Sequence, residues 1–522
     1  MSLIRNTLVQ SSLTLVSRAL GFLRDVLLAA RIGAGPIGDA WATALMFPNL
    51  FRRIFAEGAF ASAFVPTYAR TLEAEGEEAA AKVASEAMRV LFAITAGLTI
   101  LAQLAMPWLL LLVHGGQADD RENFELAILL TRITMPYLTC MSIAALLSGV
   151  LNSAGRFLLS AAAPTLLNIC LIASAFVSVS PVVTAQAASV ATLIAGLLQM
   201  LLLAWGVRRQ KVNLSLIGWP RITPGVRRVF ALAIPGTIAA SGTQINIIVS
   251  QSLASFEVGA KSWLYYADRL YQLPLGLVGV AVGVAILPAL SRAARAADID
   301  RSRATMDEGI GLALALTFPA AAALLAAPVF LIEGFFARGA FELIDAEYSA
   351  LALFHYAWGV PAFVLIKVFA PAYFAHEDTK TPMAYALTSV AINTVLGAGL
   401  FFWLSSVGRP GFPGLAIATS VAAWVNAILL FGGMLRKGWY RPGAKLLSRL
   451  LRSLIASGLM AGALLFLLQH VDTIRAITID SRIFVTMLVI LLGMAIYAVA
   501  AILTGAIRLG EIKGLVRRRA VE

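Results

Sequence analysis

Residues 39–70 read DAWATALMFPNLFRRIFAEGAFASAFVPTYAR. The stretch is apolar and long enough to cross a lipid bilayer, which takes roughly 20 such residues. It nevertheless carries Arg52, Arg53 and Glu57 inside the apolar run. A charge at the centre of a membrane helix costs about 2.5–3.5 kcal/mol on insertion scales, so a residue of this kind is kept for a use. The segment before it, LVQSSLTLVSRALGFLRDVLLAARIG at 8–33, repeats the pattern with Arg18, Arg24 and Asp25. Both stretches point to a membrane protein that holds cationic groups inside its helices.

The remainder of the chain has the same character. Its 522 residues are 60% hydrophobic and only 13% charged, with a mean hydropathy of +0.84, where a soluble domain carries about 25% charge. The fold class is therefore an all-α polytopic membrane protein. Cys140 and Cys170 both sit in apolar runs, which argues against a disulfide framework. His114, His355, His376 and His470 are scattered without metal-ligand spacing. No metal and no cofactor are expected, and nothing points to a nucleic-acid partner. Arg18 interrupts the first apolar region and no cleavage site follows, so a cleaved signal peptide is not expected.

Fourteen spans are expected, centred near residues 21, 47, 100, 140, 168, 194, 240, 275, 320, 358, 394, 424, 458 and 494. The net charge of +13 is distributed as the positive-inside rule requires. Arg208, Arg209, Lys211, Arg221, Arg227 and Arg228 share one loop, Arg292, Arg295, Arg301 and Arg303 a second, and Arg436, Lys437, Arg441, Lys445, Arg449 and Arg452 a third. The alternate loops are poor in basic residues, as at Asp119 to Glu122 and Glu333 to Glu347. Both termini are thus expected in the cytoplasm. The acidic stretch Leu72 to Met88 is expected to lie at the inner surface as a connector.

An internal repeat is visible. AFVPTYAR at 63–70 matches AILPALSR at 285–292, the same offset superposes Trp41 on Trp263, and Pro136 to Asn168 has the spacing of Pro361 to Asn393. Spans one to six and seven to twelve then form two parallel six-helix repeats, a transporter pattern with the substrate site expected between the halves. The domains follow as 1–220, 221–440, and 441–522 for two additional C-terminal helices and a basic tail. The two halves are expected to rock against each other as near-rigid bodies.

The intramembrane charges divide by their local partners. Arg53 has Glu57 at i+4, on the same helix face, which suits an internal ion pair. Arg18, Arg24, Arg52 and Arg269 have no acid at i±3 or i±4, and Asp25 or Asp268 on another helix is the alternative partner. Counting 1.5 Å per residue from the outer ends puts Arg24 and Arg269 roughly 10 Å deep, and Arg18 and Arg52 roughly 20 Å deep. Guanidinium groups favour phosphate through paired hydrogen bonds and stay charged when poorly solvated. The expected cargo is an anion with a phosphate or pyrophosphate head.

SRALGFLRD at 17–25, GDAWATALMFPNLFRRIFAEGAFASAFVP at 38–66, PTLLNI at 164–169 and YYADRLYQLPLGLVGVAVGVAILP at 265–288 resemble the MurJ (MviN) family. These are flippases of lipid II, the undecaprenyl-pyrophosphate-linked peptidoglycan precursor. The resemblance implies the fold of the multidrug/oligosaccharidyl-lipid/polysaccharide exporter superfamily, with two six-helix lobes and two extra helices that form a groove for the polyprenyl tail. It implies that Arg18, Arg24, Arg52 and Arg269 line a central cavity and bind substrate, that Asp39 is a further important residue, and that Asp25, Arg53, Glu57 and Asp268 support them. It also implies a transporter and not an enzyme, acting as a monomer in the bacterial inner membrane, with lipid II, membrane lipids and other cell-wall synthesis proteins as partners. Span seven, AIPGTIAASGTQINIIVSQSL, has no acid, so the sodium site of some related transporters is not expected.

Three other readings compete. A flippase for another polyprenyl-linked glycan meets the same charge pattern. A cation-coupled drug exporter needs an acidic cavity, whereas these charges are basic. A membrane transferase acting on polyprenyl phosphates needs acidic clusters for magnesium, and Asp119 with Asp120 stands without a second cluster.

Overall fold

In a computed structural model of the chain, every regular element among the described residues is a helix. The structure describes residues 2–55, 59–276, 299–471 and 481–506, with side chains outside 2–11, 51–62, 235–243 and 299. Two compact units are present: Met1–Ser262 with Arg338–Glu342, and Trp263–Ala337 with Leu343–Glu522.

The first unit contains α1 (Ser2–Ile32), α2 (Pro36–Phe55), α3 (Ala59–His114), a 3₁₀ turn at Gly115–Gln117, α4 (Arg121–Thr134), α5 (Tyr137–Ser153), α6 (Phe157–Ser174), α7 (Pro181–Arg209) and α8 (Pro224–Ala254). Helix α9 covers 260–276 and begins in this unit. The second unit adds α10 (Ile299–Ala326), α11 (Pro328–Phe336), α12 (Leu343–Ala357), α13 (Val360–Ala375), α14 (Lys380–Ser406), α15 (Phe412–Arg436), α16 (Ala444–Gln469) and α17 (Arg482–Leu503).

Among the described residues nine helical runs are long and apolar enough to cross a membrane, and the bent pair α12–α13 makes a tenth. Each expected span centre except residue 358 falls in a helix; residue 358 lies at the break between α12 and α13. The chain is a multi-pass helical membrane protein. The repeat segment 285–292 lies outside the described residues.

The acidic connector and the third span form one element. Helix α3 runs for 56 residues and is interrupted by a single non-helical residue, Gly76 (φ 88°). A positive φ is tolerated by glycine and strained for other residues, so the helix kinks at Gly76, within the acidic stretch Leu72 to Met88.

In lipid every backbone polar group must be satisfied inside the protein, and the α12–α13 break shows how. The two helices bend by 41° across Trp358 and Gly359. Pro361 in the first turn of α13 has no N–H to donate. Helix α15 adds donors to carbonyls on either side of the break: Ser420 Oγ donates to the His355 carbonyl at 2.6 Å, and Trp424 Nε1 to the Trp358 carbonyl at 3.0 Å.

Helix–helix packing relies on small residues, because lipid tails are as apolar as leucine and close backbone approach is what remains to be gained. Helix α7 buries Ala185, Ala188, Ser189, Thr192, Ala195 and Gly196 on one face and exposes Leu197, Leu198, Leu201 and Trp205 on another. A Cβ on Gly196 would lie 2.7 Å from Tyr137 Cδ2 and 3.2 Å from Cys140 Cβ of α5. Gly196→Val should therefore cost about 1–3 kcal/mol by overpacking. The measurement is thermal unfolding in detergent, and an unchanged melting temperature would contradict this contact.

Candidate functional site

The sequence-predicted residues fall in both units. Arg18, Arg24, Asp25, Asp39, Arg52 and Arg53 belong to the first, Asp268 and Arg269 to the second. Arg18 lies on an exposed face of α1. Arg52 and Arg53 are in the helical part of α2, but their side chains and Glu57 lie outside the described residues, and with them the Arg53–Glu57 pair.

Arg24 is held in a polar network on α1 and α6. Its Nε and one terminal nitrogen donate to Asp25 Oδ1 at 2.9 and 2.7 Å. The other terminal nitrogen donates to Asn168 Oδ1 at 2.9 Å, and Asn168 Nδ2 donates to the Ser17 carbonyl at 2.8 Å. Asp25 is buried and Arg24 nearly so, at 3% and 13% side-chain exposure. The helical spacing rule misses this pair because adjacent residues do not face each other on a helix. The guanidinium is long enough to fold back across its own turn. Asn168, from the PTLLNI stretch, completes the fork. Gly21 leaves room for it, since a Cβ there would already touch Asn168 Oδ1 at 3.6 Å.

Asp39 forms a second, fully buried network. It sits in the first turn of α2, where the helix dipole favours a negative charge. Ser262 donates its N–H (2.9 Å) and Oγ (2.8 Å) to Oδ1, while Gln117 Nε2 (2.8 Å) and the Gly259 N–H (2.7 Å) donate to Oδ2. The carboxylate thus takes up an N–H at the start of α9, one of the amides a helix N-terminus leaves free. Gly38 is required by the same approach, because a Cβ there would lie 2.6 Å from Ser262 Oγ.

Lys261, beside this carboxylate, is fully buried. Its ammonium has three donors, and three acceptors meet them: Thr43 Oγ1 at 2.8 Å, the Val113 carbonyl at 2.7 Å and His114 Nδ1 at 2.7 Å. Nδ1 must then be the accepting nitrogen of His114, which places its proton on Nε2. The Thr43 hydroxyl passes its own proton to the Asp39 carbonyl at 2.7 Å.

The sequence does not mark Lys261, His114 or Gln117 as site residues, although Lys261 is the repeat equivalent of Asp39 at the end of its span. One signal was available: Asp39 and Lys261 are related by the Trp41–Trp263 offset, so opposite charges occupy equivalent places in the repeat.

In the second unit the Arg269 guanidinium lies over the Tyr265 ring, 4.5 Å from its centroid. A cation is attracted to that negative face. Asp268, one residue earlier, accepts from Gln272 Nε2 one turn on. Trp263 is fixed by an Nε1 hydrogen bond to Asp345 at 2.9 Å and by stacking on Tyr348 at 4.4 Å. Among the described residues no group of three His, Cys, Asp or Glu side chains could hold a metal ion.

The fold defines a class of protein. An inward-facing multidrug transporter of the MATE family in the MOP superfamily superposes with a TM-score of 0.66 at 16% identity, over 83% of this chain and 98% of that one. The two chains therefore share a fold. A solved structure described as lipid II flippase MurJ in an inward closed conformation superposes with a TM-score of 0.77 at 25% identity, over 95% of this chain and 98% of that one. A probable lipid II flippase MurJ from Rhizobium tropici is 39% identical over 526 residues, 99% of this chain and 97% of that protein. The profile of the family described as lipid II flippase MurJ matches residues 28–503. The chain belongs to the MurJ family.

Lys261→Met should be strongly destabilising, because it strips Thr43, Val113 and His114 of their donor and leaves the Asp39 carboxylate buried without its cation. Breaking a buried charged group in this way costs about 3–5 kcal/mol. The double variant Asp39→Asn/Lys261→Met should recover part of that loss. Melting temperatures of the three variants in detergent decide it, and a Lys261→Met protein as stable as wild type would rule out a charged Lys261.

Proposed function

We propose that the chain flips lipid II from the cytoplasmic to the outer leaflet of the bacterial inner membrane by alternating access, supplying cell-wall synthesis. The observation that carries this reading is an arginine held ready within α1, Arg24, with two fixed partners in Asp25 and Asn168, in a chain that belongs to the MurJ family along nearly its whole length. The protein is a transporter and not an enzyme. Arg18, Arg24, Arg52 and Arg269 bind the pyrophosphate head through guanidinium forks. Asp25 and Asn168 hold Arg24 in place, and Tyr265 does the same for Arg269. The Asp39–Lys261 network keeps the start of α9 closed onto α2 until the cargo has entered. Helices α16 and α17 take the polyprenyl tail. The chain works as a monomer with other cell-wall synthesis proteins nearby.

Arg269→Ala should weaken lipid II binding about tenfold to a hundredfold, since each hydrogen bond to a charged group is worth about 1.5–3 kcal/mol. Arg269→Lys keeps the charge and loses the fork, so it should be intermediate. The measurements are binding of labelled lipid II, its appearance on the far side of reconstituted vesicles, and the melting temperature of each variant. Normal lipid II binding by a folded Arg269→Ala protein would remove Arg269 from the site.

The termini and the loops at Arg209 and Lys445 are cytoplasmic in this reading, and the loop at Asp119 is external. A cysteine at 119 should react with an impermeant reagent added to intact cells, and cysteines at 209 and 445 should react only after lysis. Labelling of position 209 in intact cells would reverse the orientation.

A further inference from the structure

The segment joining α7 to α8, residues 210–223, does something a plain connector does not. It displays Ile217, Trp219 and Ile222 at 88%, 84% and 75% exposure. It is also fastened down. The Ser215 N–H donates to Ser85 Oγ and the Arg89 guanidinium donates to the Ser215 carbonyl, both at 3.1 Å, and Thr223 Oγ1 donates to Glu86 at 2.6 Å. Gly218 (φ 131°) makes the turn between Ile217 and Trp219, and a Cβ there would lie 2.9 Å from the Arg89 guanidinium. Three large apolar side chains are thus presented from an ordered strap bolted to α3.

The exposed charges that flank them in the chain are basic, while the acids nearby, Glu77, Glu78 and Glu86, belong to α3. Arg208, Arg209, Lys211, Arg221, Arg227 and Arg228 are all exposed, and no acid occurs in the sequence between Glu125 and Glu257. Helix α7 exposes Leu197, Leu198, Leu201 and Trp205 on the way to this segment, and the Arg209 guanidinium lies over Trp205 at 5.1 Å. Apolar side chains thus lead along α7 to an aromatic–arginine pair and then to the strap, which is the order expected on leaving a bilayer through its interface. The cleft of about 960 Å³ between the strap and α3 has acids as well as bases on its walls, Glu77 and Glu78 with Lys82 and Lys211, so it has no clear preference for an anion. The distinguishing feature is the exposed apolar triplet with its basic surround.

We propose that this strap is a docking surface for the anionic phospholipid headgroups of the bilayer, with Ile217, Trp219 and Ile222 immersed at headgroup depth and the flanking Arg and Lys side chains on lipid phosphates. Amphipathic tryptophan favours that depth, and basic residues near an anionic leaflet are attracted to it. The strap then seats the ends of α7 and α8 at the membrane surface and, through Ser85, Glu86 and Arg89, fixes the level of α3. This assignment rests on the chain being a multi-pass membrane protein and is independent of its cargo.

The test uses the full-length protein in lipid nanodiscs. The contribution of Trp219 is isolated by subtracting the fluorescence of Trp219→Phe. Brominated phosphatidylglycerol should quench it about threefold more than brominated phosphatidylcholine, as an anionic preference requires. The variant Arg208→Gln/Arg209→Gln/Lys211→Gln/Arg221→Gln should bring that ratio to about one. The pair Lys211→Gln/Arg221→Gln, with melting temperature as a check on folding, gives the same comparison with less disturbance and should lower the ratio part of the way. Quenching of Trp219 by aqueous acrylamide with no effect of either brominated lipid would place the strap in water, as a soluble protein partner would require, and would overturn the proposal. So would a ratio unchanged in both Gln variants of a folded protein.

Discussion

A polar group buried in this protein has little water to fall back on, and the architecture depends on supplying its buried charges with partners. In the interior of a bilayer an unsatisfied backbone amide or carbonyl costs several kcal/mol, and a lone charge more. The Asp39 carboxylate meets this demand with four donors, and Lys261 spends all three of its protons on Thr43, Val113 and His114. The oppositely charged groups do not need to touch. Each is satisfied by neutral dipoles that also join α2, the end of α3 and the start of α9. A network of this kind is specific, because shifting any one segment leaves several groups short at once.

The same demand separates the arginines by role. Arg24 has its charge balanced within α1 by Asp25, yet a fork bound to one carboxylate and one amide has its geometry defined before any cargo arrives. Arg269 rests on an aromatic face, which attracts a cation without a directed hydrogen bond. The two contacts differ in strength and direction, so the arginines of this chain are unequal members of a binding site.

Composition and hydropathy made the helical membrane fold legible, because twenty apolar residues in a row have few other uses. The motifs around Arg24, Asp39 and Arg269 made the family legible. The partners of those residues were harder to read. Asp25 stood as an alternative partner from another helix, whereas it reaches Arg24 within α1, because a spacing rule describes the average side chain and not the longest one. Gln117 and His114 reach Asp39 and Lys261 only because the 3₁₀ turn after α3 abuts the turn before α9. That approach is close enough that a Cβ on Gly116 would lie 2.5 Å from the Ser255 backbone. No local pattern in the sequence encodes a meeting of segments 140 residues apart. Nor did hydropathy show that the acidic connector and the third span are a single helix interrupted at Gly76, inside the acidic run.

The break between α12 and α13 resembles a hinge, yet its chemistry makes it a splint. The carbonyls of His355 and Trp358 at the bend are each taken by a side chain, the two one turn apart on α15. Changing the angle would pull both bonds at once inside an apolar medium with nothing to replace them. The elbow therefore travels with α15 as one rigid piece, and its angle is written as much in Ser420 and Trp424 as in the glycine and proline beside it. A sequence comparison that scored only the bend itself would miss half of what sets it.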